Sequence, residues 1–131
     1  MAGTNQAGLW VVRILSALIL FAVAGIHLFL VFDGVGGVLG VLFILNAIAG
    51  FVLGLGMLFL HGRLLSLTVV LSLLFVIATL ASLLLALTVG LFGITETWDF
   101  TLVPETVIVE SIGVVVLAVA AAVILRRPRQ P

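Results

Sequence analysis

Three polar side chains could do chemistry in this sequence because each lies inside a long apolar stretch. His27 lies in the first stretch, Asn46 in the second and Glu110 in the last. An imidazole and a carboxyl group placed together can pass protons, bind a cation or hydrogen-bond a ligand head group. Ionisable residues are costly in apolar segments, so a functional role is the first hypothesis for them. We therefore predict a ligand-binding or proton-binding site formed by these three residues.

Each of the three residues also has a structural explanation. His27 could hydrogen-bond to a neighbouring helix, and Asn46 could hold two helices together through its amide. Glu110 must be neutral, paired or hydrated at its position, whatever its role. From the residues alone both explanations stay open.

The composition indicates that these residues belong to a membrane protein. The chain has 131 residues, of which 65% are hydrophobic and 8% charged, and its mean hydropathy is +1.58. Apolar runs of about twenty residues are typical of transmembrane helices. The formal net charge is zero, which argues against nucleic-acid binding. Heavy use of Ala, Gly, Val and Leu, with no lysine, favours a GC-rich bacterial genome.

Four transmembrane helices account for nearly the whole chain, which we interpret as one domain over residues 1–131. The predicted spans are residues 10–32, 37–60, 64–92 and 104–125. The connections between them are short except for residues 93–103. Pro104 suits the first turn of the fourth helix, and Glu105 is favourable beside that helix N-terminus.

Charged residues separate completely between the two sides of this arrangement. The arginines at one side are Arg13, Arg63, Arg126, Arg127 and Arg129, and the acids at the other are Asp33, Glu96, Asp99, Glu105 and Glu110. The positive-inside rule then predicts a multi-pass protein of the plasma (inner) membrane with both termini in the cytoplasm. At 1.5 Å per residue, His27, Glu110 and Asn46 lie about 8, 9 and 14 Å below the outer ends of their helices.

Small and polar residues form one stripe on every predicted helix. Such stripes mark helix contacts in lipid, where apolar side chains gain little by packing together. The residues assigned to helix packing are Gly50, Gly54, Ser72, Thr79 and Ser82. The sequence therefore predicts an all-α fold, an antiparallel four-transmembrane-helix bundle with these stripes inside.

Several kinds of chemistry lack the residues they need. The absence of cysteine removes disulfides and thiolate ligands, and no known catalytic or metal-binding spacing is present. His27 and His61 lie at opposite ends of the bundle, about 20 Å apart, so one chain cannot offer both to one haem iron. We expect no cofactor, no metal site and no catalytic residue, and hence no enzyme.

A few residues of the first two helices carry a family resemblance. Arg13, Gly25-x-His27 and then Gly40 followed by Leu45-Asn46 resemble small four-helix bacterial membrane proteins of unknown function that are loosely DoxX-like. The resemblance implies the fold and topology of those proteins and no particular activity.

Two functions fit these observations. The first is a non-enzymatic accessory or interaction subunit that packs in the lipid bilayer against a larger membrane protein or another copy of itself. The glycine-rich second helix and the small extramembrane mass favour it. The second is a transport or small-ligand, cation or proton-binding protein that uses His27, Glu110 and Asn46.

Overall fold

Four helices make up most of the chain. A computed structural model describes the backbone of residues 2–127 and the side chains of residues 6–127, so Arg129 lies outside the described residues. The helices are α1 (Ala2–Phe32), α2 (Gly37–Phe59), α3 (Gly62–Thr88) and α4 (Val103–Arg126). All four are long and apolar enough to cross a membrane. An all-helical chain with four candidate membrane spans is thus confirmed.

The third helix is shorter than its sequence predicts, because it ends at Thr88 and the prediction ran to Phe92. Gly90 takes the left-handed conformation with φ +88°, and its N–H donates to the Leu85 carbonyl oxygen at 2.7 Å. This is the usual way in which a glycine closes a helix. The residues after it therefore join the loop between α3 and α4.

The helices form a bundle in which each contacts two neighbours. α1 contacts α2 and α4, and α3 contacts α4 and α2, with α2 and α3 the least closely packed of these pairs. One face of α1 is buried along its length, and its residues are Arg13, Ser16, Leu20, Ala24 and His27. This face coincides with the small and polar stripe of the first helix.

Two glycines of α2 allow α1 to approach closely. A Cβ atom added at Gly50 would lie 3.0 Å from the Ala24 Cβ and from the Leu20 carbonyl oxygen. A Cβ atom added at Gly54 would overlap the Phe21 ring. A Cβ at Gly50 would thus need α1 to shift slightly, and one at Gly54 would need the Phe21 ring to move, so glycine at both positions favours the close approach.

We expect Gly54→Leu to destabilise the bundle by about 1–3 kcal/mol, because the new side chain has to displace the Phe21 ring. Thermal unfolding in a mild detergent measures this change. Gly25→Leu is the matched control, since Gly25 is an exposed helical glycine with open space around it. Equal unfolding temperatures for the two variants would contradict the assignment of Gly54 to the α1–α2 contact.

A buried arginine joins the N-terminal half of α1 to the C-terminal end of α2. Arg13 is 2% exposed, and its Nε–H donates to the Met57 carbonyl oxygen at 2.7 Å. Its Nη2 donates to the carbonyl oxygens of Leu58 at 3.0 Å and Leu60 at 2.7 Å. The last carbonyl groups of a helix have no partner within it and carry a partial negative charge. The guanidinium therefore satisfies the C-terminal end of α2, while the Trp10 ring covers it at 4.2 Å.

Loss of the Arg13 charge should cost more stability than any other arginine substitution within the described residues. We expect Arg13→Met to lower the free energy of unfolding by about 3 kcal/mol, because three hydrogen bonds from a charged donor are lost. Arg13→Lys should recover only part of the lost free energy of unfolding, because an ammonium group keeps the charge but lacks the planar fork of donors. Arg63→Met, at an exposed position, is the control. Thermal unfolding in a mild detergent measures the stability of both variants. Similar losses of stability in Arg13→Met and Arg63→Met would argue against the role of Arg13 as a helix cap.

Candidate functional site

A cavity of about 310 Å³ lies where α1 and α3 end and α2 and α4 begin. We call this region the loop end, because the residue 89–102 loop closes it. Apolar side chains from all four helices and the loop line most of the cavity, among them Leu30, Leu39, Phe43, Phe75, Ala86, Leu91 and Phe100. The volume is at the lower limit of about 300–1,000 Å³ for small-molecule sites.

The structure brings together the three residues singled out in the apolar stretches. His27 of α1, Asn46 of α2 and Glu110 of α4 all line the cavity at the loop end. Thr79 of α3, assigned from the sequence to helix packing, lines it too. Every helix thus contributes at least one polar side chain to the same cavity.

Glu110 has no polar partner to offset its burial. Its side chain is 0% exposed, and neither Oε1 nor Oε2 accepts a hydrogen bond from the described residues. The Thr79 hydroxyl faces the carboxyl group, but not with the geometry of a hydrogen bond. A buried carboxyl group without a partner is costly in either protonation state. The cost points to a partner that enters the cavity from outside the chain.

The Asn46 side chain uses only one of its two polar atoms in a hydrogen bond. Its Nδ2 donates to the Thr79 Oγ1 at 3.0 Å and so joins α2 to α3. Its Oδ1 is buried without a hydrogen-bond partner among the described residues. One atom of the amide therefore holds two helices together, while the other is left as an acceptor in the cavity region.

His27 is held by its own helix. Its Nδ1 lies 2.8 Å from the Val23 carbonyl oxygen, which can only accept, so Nδ1 carries the proton and donates. In the neutral ring Nε2 is then an acceptor. The ring packs edge-on against Phe43, with 4.8 Å between ring centroids. His27 and Glu110 line the same cavity but form no hydrogen bond or ion pair with each other.

The two other helical hydroxyl groups in the lining bond to their own backbone. The Ser82 Oγ–H donates to the Ala78 carbonyl oxygen, and the Thr106 Oγ1–H donates to the Leu102 carbonyl oxygen. The Ser82 and Thr106 donors are therefore used within the chain, whereas the Thr79 hydroxyl accepts from Asn46 and keeps its own hydrogen on the side of Glu110. Acceptors on Glu110, Asn46 and His27 are not used. The arrangement suits a ligand that brings hydrogen-bond donors.

The loop over the cavity is held in place by backbone contacts. Leu91 and Ile94 exchange two backbone hydrogen bonds of 2.8 Å each, and the Glu96 N–H donates to the Ala86 carbonyl oxygen at 2.9 Å. Phe92 and Leu102 have positive φ angles of 52° and 66°, which are unfavourable for bulky residues. Glu96 lines the cavity from this loop, and partial burial raises the pKa of its carboxyl group.

The cavity is closed on one side and open on the other. Its lining residues on α1 and α4 are buried: His27, Leu30, Val103, Thr106 and Glu110. On α2 and α3, in contrast, Leu42, Ala78 and Ser82 are exposed. The cavity therefore opens between α2 and α3, the least closely packed neighbours.

The residues assigned to helix packing occupy different environments. Gly50 and Gly54 lie between α1 and α2, and Ser72 is fully buried on α3 with a hydroxyl that lacks a partner among the described residues. Thr79 is partly buried and links α3 to α2 through Asn46. Ser82 is exposed and lines the cavity.

Sequence reasoning missed the contribution of Glu96, because a loop acid gives no sign of the helix it will fold against. It also missed the function of Thr79 as a link to Asn46, although the alignment of both residues on helix stripes was a usable signal.

The described residues contain no group of three or more His, Asp or Glu side chains that could hold a metal ion.

Comparison with known proteins adds no relative. No protein family, curated protein or solved structure matches the chain. The DoxX-like resemblance of Arg13, Gly25, His27 and Asn46 therefore stays a prediction, and functional inference depends on the site alone.

Replacement of Glu110 by an apolar residue should stabilise the ligand-free protein. We expect Glu110→Leu to raise the free energy of unfolding by about 1–3 kcal/mol, because the cost of a buried carboxyl group without a partner is removed. Thermal unfolding in detergent measures the change, with Thr106→Val as the control for a buried neighbour that is satisfied. A large loss of stability in Glu110→Leu would instead show that the carboxyl group holds the bundle together.

Proposed function

We propose that this chain is a bacterial integral membrane protein that binds a small hydrophobic molecule carrying a hydrogen-bond donor. The observation that carries the proposal is the Glu110 carboxyl group, fully buried at a cavity wall with both oxygens unused. Stability is lost by keeping such a group, so its presence is best explained by a bound partner. The proposed role is binding rather than catalysis, because the described hydroxyl groups of the lining make no hydrogen bond to a side-chain base.

We place the protein in the plasma membrane as an antiparallel bundle with both termini in the cytoplasm. The described arginines Arg13, Arg63, Arg126 and Arg127 lie at the end of the bundle away from the cavity, which supports this orientation. The cavity then opens in the outer half of the bilayer.

The open side of the cavity supports entry of the ligand from the lipid. Leu42, Ala78 and Ser82 are exposed on the flank of the bundle, between α2 and α3. A hydrophobic molecule dissolved in the bilayer meets this opening directly. Its polar group then reaches Glu110 and His27 on the far wall.

An accessory role through the glycines of α2 has less support. Gly50 and Gly54 pack against α1 within the chain, so this row is not a free surface for another protein. The exposed apolar side chains elsewhere on the bundle suit lipid equally well.

Octan-1-ol should protect Glu110 from dicyclohexylcarbodiimide, a hydrophobic reagent that modifies buried carboxylic acids. We expect octan-1-ol to slow modification of Glu110 about fivefold more than octane at equal concentration in phosphatidylcholine nanodiscs. Only the alcohol can donate to the carboxyl group, and one net hydrogen bond is worth about 1 kcal/mol. Peptide mass spectrometry locates and counts the adduct.

Two variants control this experiment. Glu110→Gln should lose the adduct, whereas Glu105→Gln, at an exposed acid outside the cavity, should keep it. Equal protection by octane and octan-1-ol, or none by either, would refute binding through a hydrogen-bond donor.

A further inference from the structure

We infer that the ligand is a small hydrophobic organic cation, with a protonated amine as the group that meets Glu110. The inference rests on the proposed function and specifies the chemistry of its ligand. It follows from the charge and the hydrogen-bonding pattern of the cavity.

No basic side chain of the described residues lies near enough to neutralise Glu110. Arg126 is sixteen residues further along α4, which is about 24 Å at 1.5 Å per residue. Arg13 is fourteen residues from His27 along α1, about 21 Å, and its donors are used on α2 carbonyl groups. An ionised Glu110 therefore takes its counter-ion from outside the chain.

His27 is not arranged to be that counter-ion. Its Nδ1 donates to the Val23 carbonyl oxygen, and the ring packs against the edge or face of Phe43 in a buried position. The Glu110 carboxyl group makes no hydrogen bond to the ring. A neutral imidazole is the form that these surroundings favour, and it leaves Nε2 as an acceptor.

The number of free acceptors matches an ammonium group better than a hydroxyl group. An ammonium group has donors only, up to three, whereas a hydroxyl group has one donor and two lone pairs. Glu110, Asn46 Oδ1 and His27 Nε2 offer acceptors from three helices. A hydroxyl ligand has a single hydrogen to offer these acceptors, and a carboxylate ligand would add only acceptors.

The rest of the cavity suits the remainder of such a molecule. Phe43 and Phe75 contribute aromatic rings, which attract cations and pack against apolar groups. Exposed acids stand around the loop end at Asp33, Asp99 and Glu105, and all described arginines lie at the other end. The resulting field raises the local concentration of cations and lowers that of anions.

Three amphiphiles with the same alkyl chain test the inference: octylammonium, octan-1-ol and octanoate. The full chain in phosphatidylcholine nanodiscs is treated with dicyclohexylcarbodiimide, and modification of Glu110 is followed by peptide mass spectrometry at equal amphiphile concentration in the bilayer. We expect octylammonium to protect Glu110 about fivefold better than octan-1-ol, because a charge-assisted hydrogen bond is roughly twice as strong as a neutral one.

A cation in the bilayer also changes the surface potential, and a variant separates this effect from binding. Asn46→Leu keeps Glu110 and the surface charge but removes one acceptor and the link to Thr79. In Asn46→Leu the preference for octylammonium over octan-1-ol should fall several-fold. Leu45→Ala, at an exposed position outside the cavity lining, is the matched control and should keep the preference.

The outcomes distinguish the inference from the proposed function. If octan-1-ol protects Glu110 as well as octylammonium does, the ligand is a neutral donor and the inference is wrong while the proposed function stands. If octanoate protects best, or no amphiphile protects, both are wrong. An unchanged preference in Asn46→Leu would also overturn the inference, since the effect would then come from the membrane surface.

Discussion

The bundle depends on one constraint: a polar group inside an apolar layer has to find its partner within the protein or bring one in. At the end away from the cavity the chain supplies the partner itself. The Arg13 guanidinium meets the carbonyl groups of Met57, Leu58 and Leu60, which α2 leaves without intrahelical partners. This contact fixes where α1 stands along α2, and Gly50 and Gly54 then let the two helices close against each other.

The position of α1 along α2, which Arg13 sets, also determines which residues of α1 face inward at the loop end. The buried face that begins at Arg13 reaches His27 four turns later, so the imidazole is carried to the inside of the bundle and next to Phe43. α4 brings Glu110 to the same place, yet no described residue forms a hydrogen bond with its carboxyl group. One end of the bundle is closed and satisfied, and the other is open and unsatisfied. That asymmetry separates the end of the bundle that Arg13 stabilises from the end where we propose that a ligand binds.

The sequence predicted the existence and type of all four helices, because long apolar runs allow few other structures in lipid. It also selected His27, Asn46 and Glu110, since polar residues are rare enough in such runs to stand out. The end of α3 was wrong by four residues, because Gly90 inside an apolar run gave no sign of whether it would close the helix. The partners of Arg13 were beyond prediction as well. They are backbone carbonyl groups, which every residue has, so no residue type marks them.

The direction of each hydrogen bond is the other property that residue types do not reveal. A stripe with Thr, Ser, Asn, His and Glu could equally offer donors or acceptors to a ligand. Helical hydroxyl groups tend to give their proton to the carbonyl group one turn back, as Ser82 and Thr106 do here, and His27 gives its Nδ1 proton to Val23 in the same way. Each such bond removes a donor and leaves lone pairs behind. A cavity built between helices in this manner becomes rich in acceptors even when its residues are chemically mixed, and here the two carboxyl oxygens of Glu110 add to them.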